Sequence, residues 1–194
     1  MQNIVLDIDG TLVRLNPENV ENICHVLRKR CFPVLSFDGS QRQWIVERPY
    51  LQEFLSYCFR NFNVIVWSAG EMSYISQVIT QVFPKKPFLV FSRREIKYFQ
   101  GFPIKPLSRL KERTGGIVNE RNTIFVDDNY YTFLENPENG IVIPEYKILF
   151  NDDLDDFLLQ LKVWLENNID RVTDVRKLDK SCIFRFPGMW RKKL

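Results

Sequence analysis

The chain has 194 residues, is 45% apolar and 26% charged, contains sixteen Phe and carries a net charge of +3. It is long enough to bury one sizeable core and too short for a second catalytic domain. Without Ser, Gln or Gly tracts it is not a disordered chain, and no apolar run approaches the roughly 20 residues of a membrane span.

The polar Met-Gln-Asn start leads into a run broken by Asp7 and Asp9, unlike a signal peptide. An intracellular, soluble protein is therefore expected, with nucleus and cytoplasm both open. Cys24, Cys31, Cys58 and Cys182 form no CxxC pair and lie in or beside apolar runs, which predicts reduced, buried thiols. Charge is unevenly placed: residues 171–194 carry eight Lys or Arg against two Asp, or +6, leaving −3 for residues 1–170. The expected organisation is a catalytic domain over 1–170 with a basic extension over 171–194. That extension reads as solvated surface, as a contact for nucleic acid or an acidic peptide, or as a segment docked on the domain.

In chain order, Asn3 to Ile8 is a short apolar run ended by Asp-Gly, the pattern of a buried strand entering a turn. Asn16-Pro17-Glu18 supplies a helix start, predicting a helix to about Cys31. Pro33 to Phe37 and Gln43 to Val46 flank Asp38-Gly39 and predict a β-hairpin inserted at about 33–47. After Arg48-Pro49, Leu51, Phe54, Leu55, Cys58, Phe59 and Phe62 recur at helical spacing, and Asn63 to Trp67 reads as a strand. A helix with Met72, Ile75, Val78, Ile79, Val82 and Phe83 ends at Pro84, before a strand near 88–91.

A further helix begins near Pro106, and Gly115-Gly116 reads as a helix-ending turn. Thr123 to Val126 is the next buried strand, Ile141 to Ile143 a short one, and Leu154 to Trp164 an amphipathic helix carrying Phe157, Leu158 and Leu161. Alternating helices and fully apolar strands predict an α/β, doubly wound, Rossmann-like parallel sheet covered on both faces.

In such a sheet the carboxyl ends of the strands share one edge, where ligands bind. Asp7 and Asp9 follow the first strand, Ser68 the strand at Trp67, and Asp127 and Asp128 the strand at Val126. Carboxylates gathered around one point require a cation, and oxygen ligands without His or Cys favour Mg²⁺. Asp7, Asp127, the backbone carbonyl of Asp9 and Asp128 are the expected ligands. Asp7 is the candidate nucleophile and Asp9 the general acid and base. Gly10 permits the turn between them. Ser68 and Ala69 form a phosphate cradle with the start of the following helix, and Lys105 offers a compact positive charge. The only histidine, His25, lies in a helical pattern, so a Ser-His-Asp site is not supported.

These motifs, Asp7-Ile8-Asp9-Gly10-Thr11, Ser68, Lys105 and Asp127-Asp128, resemble the four motifs of the haloacid-dehalogenase-like (HAD-like) hydrolases. Within that superfamily the chain looks like the branch of RNA polymerase II C-terminal-domain phosphatases, which includes NLI-interacting-factor-like members. Arg48-Pro49 through Phe54-Leu55, and Lys105-Pro106-Leu107-Ser108-Arg109-Leu110, match segments of its small phosphatases. The branch usually carries Glu at the position of Gly10 and more often Thr at that of Ser68.

The resemblance implies a Mg²⁺-dependent phosphatase acting through a phospho-aspartate on Asp7. Its substrate would be a phosphoserine or phosphothreonine protein, with the polymerase C-terminal domain as one candidate. Two alternatives remain open: a phosphatase for a small metabolite or a nucleic-acid end, and a non-catalytic peptide-binding module of the same fold.

Overall fold

The computed structural model describes residues 1–16, 30–36, 42–148, 155–170 and 172–186. Its main sheet has five parallel strands: β1 (Gln2–Leu6), β5 (Phe62–Trp67), β6 (Leu89–Phe91), β9 (Thr123–Asp127) and β10 (Gly140–Val142). Their order is β10-β9-β1-β5-β6, with β1 at the centre. Successive side chains of a strand face opposite ways, and here both sides are apolar. Ile4 and Leu6 pack on one face with Phe54, Leu55, Ile75 and Leu161, whereas Val5 packs on the other with Leu107 and Leu110. Helices α1 (Leu51–Asn61), α2 (Met72–Val82) and α4 (Phe157–Asn168) thus cover one face, and α3 (Leu107–Arg113) the other. This is the doubly wound α/β architecture expected from the sequence.

The hairpin expected at 33–47 is present, as β3 (Cys31–Leu35) paired antiparallel with β4 (Arg42–Glu47). It gains a third strand, β2 (Val13–Asn16), on the other side of β4. Asn16 is the last residue of β2, and Cys31, near which the expected helix was to end, opens β3. The remainder of the expected helix, with Cys24 and His25, lies outside the described residues, as do the hairpin tip at 37–41 and Leu154. A second hairpin, β7 (Lys97–Phe99) with β8 (Phe102–Ile104), precedes Lys105.

Smaller corrections follow from packing. Phe62 begins β5 instead of closing α1, and Met72 is exposed. Cys58 is buried, but Cys31 is half-buried and Cys182 exposed, and all three are free thiols. Residues 172–186 lie against the domain: Val175 and Ile183 join the core that contains Ile4 and Leu6, and the amide of Val175 donates to the Arg121 carbonyl at 2.9 Å. None of the helices among the described residues is long and apolar enough to cross a membrane.

Arg48 joins the three-stranded sheet to the carboxyl edge of the main sheet. Its side chain is fully buried; Nε donates to both oxygens of Asp155 at 2.9 and 3.1 Å, Nη1 to the Thr11 carbonyl at 3.0 Å and Nη2 to the Pro144 carbonyl at 2.7 Å. The guanidinium also lies 5.6 Å from the ring centroids of Tyr146 and Phe157. Removing one member of a buried ion pair leaves its partner uncompensated. Arg48→Met is therefore expected to destabilise the fold by about 3–5 kcal/mol, measured by urea unfolding. An unchanged midpoint would refute the clamp.

Candidate active site

Parallel pairing brings the ends of β1, β5 and β9 together. Asp7 is the first residue beyond β1, and its amide donates to the Val126 carbonyl at 3.0 Å. Asp127 is the last residue of β9, and Ser68 follows β5 with its amide on the Phe91 carbonyl at 3.1 Å. All seven residues expected from the sequence, Asp7, Asp9, Ser68, Ala69, Lys105, Asp127 and Asp128, line one cleft of about 200 Å³.

Lys105 reaches this edge from β8, not from a strand of the main sheet. Its amide is anchored on the Thr132 carbonyl at 2.7 Å. Its Nζ donates to Asp7 Oδ1 at 2.7 Å and to Asp127 Oδ2 at 2.6 Å, with all three side chains largely buried. Burial pushes the Asp7 carboxyl well up from its ordinary value; Lys105 opposes this and Asp127 adds to it. Burial also disfavours the Lys105 charge, but the two carboxylates outweigh it and raise the ammonium above its ordinary value.

Carboxylate oxygens of Asp7, Asp127 and Asp128 lie within 4.8 Å of one another. One ammonium faces three carboxylates, so a divalent cation would balance the remaining charge. The donors are hard oxygens and the cleft lining contains neither His nor Cys, a set that fits Mg²⁺.

Two turns shape this cluster. Gly10 has φ +80, and a Cβ there would stand 2.7 Å from Asp128 Oδ2, so the turn has room only for glycine while Asp128 keeps its position. Thr11 Oγ1 then donates to Asp128 Oδ1 at 3.2 Å and accepts from the Asp128 amide at 3.1 Å. On the opposite side, Ser68 Oγ accepts from the Gly70 amide at 3.0 Å. That amide is thus already engaged, leaving the hydroxyl proton of Ser68 free to donate into the cleft.

Sequence reasoning missed Tyr74. Its Oη donates to Asp9 Oδ1 at 2.5 Å. Burial raises the Asp9 carboxyl above its ordinary value, with the Tyr74 hydrogen bond opposing. Burial and the neighbouring Asp9 charge together push the Tyr74 phenol far up, so it remains a donor. Its one signal was negative, since Tyr74 falls off the apolar face of α2. Thr11 and Asn129 were also unassigned; the Asn129 amide holds Asp127 Oδ1 at 2.9 Å.

Residues 2–176 match the model of the family described as NLI interacting factor-like phosphatase. The chain belongs to this family. Family membership bears out the resemblance carried by the Asp7 motif, Ser68, Lys105 and the Asp127-Asp128 pair. The ubiquitin-like domain-containing CTD phosphatase 1 of Xenopus tropicalis is 34% identical over 143 residues, covering 68% of this chain and 45% of the relative. A putative CTD phosphatase-like protein of Invertebrate iridescent virus 6 is 39% identical over 88 residues, 44% of this chain and 47% of that one. The chain thus spans about half the length of these relatives.

Among solved structures, the fission yeast RNA polymerase II CTD phosphatase Fcp1 bound to beryllium fluoride superposes with a TM-score of 0.59 at 16% identity. The match covers 77% of this chain and 43% of that one, and it shows a shared fold.

If Lys105 is what allows Asp7 and Asp127 to be buried side by side, its loss should be felt by the whole domain. Lys105→Met is expected to lower metal-free stability by about 3–5 kcal/mol, read from urea unfolding in chelator. A midpoint equal to that of the parent protein would show that the carboxylates do not depend on it.

Proposed function

We propose that this protein is a Mg²⁺-dependent phosphatase that removes phosphate from phosphoserine or phosphothreonine in proteins through a phospho-aspartate on Asp7. The observation that carries the reading is Lys105 bridging Asp7 and Asp127 beside Asp128 and Ser68. The carboxy-terminal-domain phosphatases among its relatives support a protein substrate, and a phosphorylated polymerase C-terminal domain is one candidate.

Asp7, Asp127, Asp128 and the Asp9 carbonyl would hold the magnesium ion, which when bound screens the phosphate charge and polarises its oxygens. Lys105 engages Asp7 Oδ1 and leaves Oδ2 for phosphorus. Attack by Oδ2 forms an O–P bond as the bond from phosphorus to the seryl or threonyl oxygen breaks, giving an acyl phosphate on Asp7. The Ser68 hydroxyl and Lys105 ammonium donate to the phosphoryl oxygens during this transfer.

The departing alkoxide needs a proton, and Asp9 supplies it. Burial favours the protonated form of Asp9, and Tyr74 occupies Oδ1, directing the proton to Oδ2. In the second step Asp9 takes a proton from water as that water attacks phosphorus. Breakage of the P–O bond to Asp7 then regenerates the carboxylate and releases inorganic phosphate.

Purified protein is expected to hydrolyse p-nitrophenyl phosphate and phosphoserine peptides with Mg²⁺, and to lose both activities in chelator until Mg²⁺ is restored. Asp7→Asn should abolish turnover of both substrates; activity surviving that change would sink the mechanism. Asp9→Asn should slow phosphoserine hydrolysis by about 10²–10⁴-fold. In single-turnover measurements of the first step, release of dinitrophenol from dinitrophenyl phosphate, whose leaving group needs no proton, should be slowed far less than release of the dephosphorylated peptide, and an equal loss in that step would exclude Asp9 as the acid.

A further inference from the structure

Beside the catalytic cleft, five large aromatic side chains stand in solvent. Tyr98 is 75% exposed, Tyr130 54%, Phe99 53%, Tyr131 41% and Phe102 38%. Contiguous exposed apolar surface on a soluble domain marks a place where something binds.

β7 and β8 are joined by Gln100 and Gly101 at φ 50 and 85, the two left-handed residues of a tight hairpin turn. Phe99 and Phe102 are directly opposed at that turn. Phe102 stacks flat on Tyr131, with centroids 3.9 Å apart and planes 11° apart, and Tyr131 packs edge-on against Tyr130. Contacts between two separate elements thus hold Phe102, Tyr131 and Tyr130, which reduces the side-chain freedom those three rings lose on binding.

The patch adjoins the cleft along the chain: Asn129 and Thr132 line the cleft and flank Tyr130 and Tyr131, and Pro103, also in the lining, follows Phe102. Tyr98, opposed to Pro103, projects from the other face of the hairpin than Phe99 and Phe102 and stands apart from their ring cluster.

Charge identifies the occupant. Arg93 is paired with Glu71, whereas Arg94 and Lys97 are exposed and make no ion pair among the described residues. On the other flank, Glu135 is exposed just beyond Tyr131. Such a mixed border suits a peptide carrying apolar and acidic side chains. It opposes a nucleic-acid strand, which needs a continuous basic track beside its stacking rings.

We propose that this aromatic ledge is a docking surface for the protein substrate. It would take aromatic or aliphatic residues flanking the phosphorylated residue, with acidic residues directed to Arg94 and Lys97. The proposal rests on the protein-phosphatase reading above and adds a recognition element outside the catalytic cleft.

The test uses the full chain carrying Asp7→Asn, so that binding is measured without turnover. Two labelled phosphoserine peptides are compared by fluorescence anisotropy, one flanked by Trp, Leu and Asp and one flanked by Gly and Ser. The flanked peptide is expected to bind more tightly. Phe99→Ala, or independently Tyr130→Ala on the other element, should weaken it about tenfold, the loss of one buried aromatic contact. The Gly-Ser peptide should be unaffected. In the background with Asp7 intact, both variants should hydrolyse p-nitrophenyl phosphate at the parent rate.

Equal affinity for the two peptides overturns the proposal, as does equal weakening of both by the variants. Tighter binding of a 3′-phosphorylated oligonucleotide at the same patch overturns it in favour of nucleic acid. A concentration-dependent dimer in sedimentation that Phe99→Ala dissolves overturns it in favour of a second copy. Failure of the parent protein to hydrolyse any phosphate ester would refute the phosphatase reading alone, because the binding comparison still reads the ledge.

Discussion

The site depends on one buried ammonium. Asp7 and Asp127 end neighbouring strands of a parallel sheet, so the pairing that builds the core also forces two carboxylates together at its edge. Two buried carboxylates held side by side repel one another unless a positive charge stands between them. Lys105, at 2.7 and 2.6 Å from them, supplies the compensation. Its position is in turn fixed by the β7–β8 hairpin and by the hydrogen bond that its backbone amide donates to the Thr132 carbonyl. A small, irregular hairpin thereby governs the electrostatics of a site whose carboxylates come from the regular sheet.

The rest of the edge is braced in a similar way. Arg48 grips the Thr11 carbonyl, and Thr11 in turn bonds Asp128 through its side chain. The inserted three-stranded sheet is therefore connected to a candidate metal ligand through three residues. Coupling of this kind is carried by contiguous hydrogen bonds and packed side chains, and each link here is buried or half-buried.

Much of this was legible in the residues. Strands buried on both faces are continuous apolar runs, so β1, β5 and β9 were visible, and with them the shared edge that gathers Asp7, Ser68 and Asp127. Lys105 was placed by resemblance, because its hairpin leaves little trace: Lys97-Tyr98-Phe99 is exposed and lacks the alternation of a half-buried strand. β2 was hidden for a different reason. Val13 to Asn16 is only four residues long, and the helix-start signal at Asn16-Pro17 competed with it. Tyr74 was unreadable as a site residue because a phenol aimed at a carboxylate 65 positions away has no local signature. The docking of residues 172–186 was equally obscure, since Val175 and Ile183 are sparse apolar positions in a strongly basic stretch.

That last packing has a kinetic consequence. The central strand β1 precedes its hydrogen-bonding neighbours by about sixty and 120 positions, and the core around Ile4 and Leu6 is closed by Val175 and Ile183. Such long-range contacts are slow to form, because loop closure precedes any gain from packing. During synthesis, β1 and α1 must wait with their apolar faces exposed until nearly the entire segment has left the ribosome. The apolar core around Ile4 and Leu6 is thus complete only once residues 172–186 have joined it.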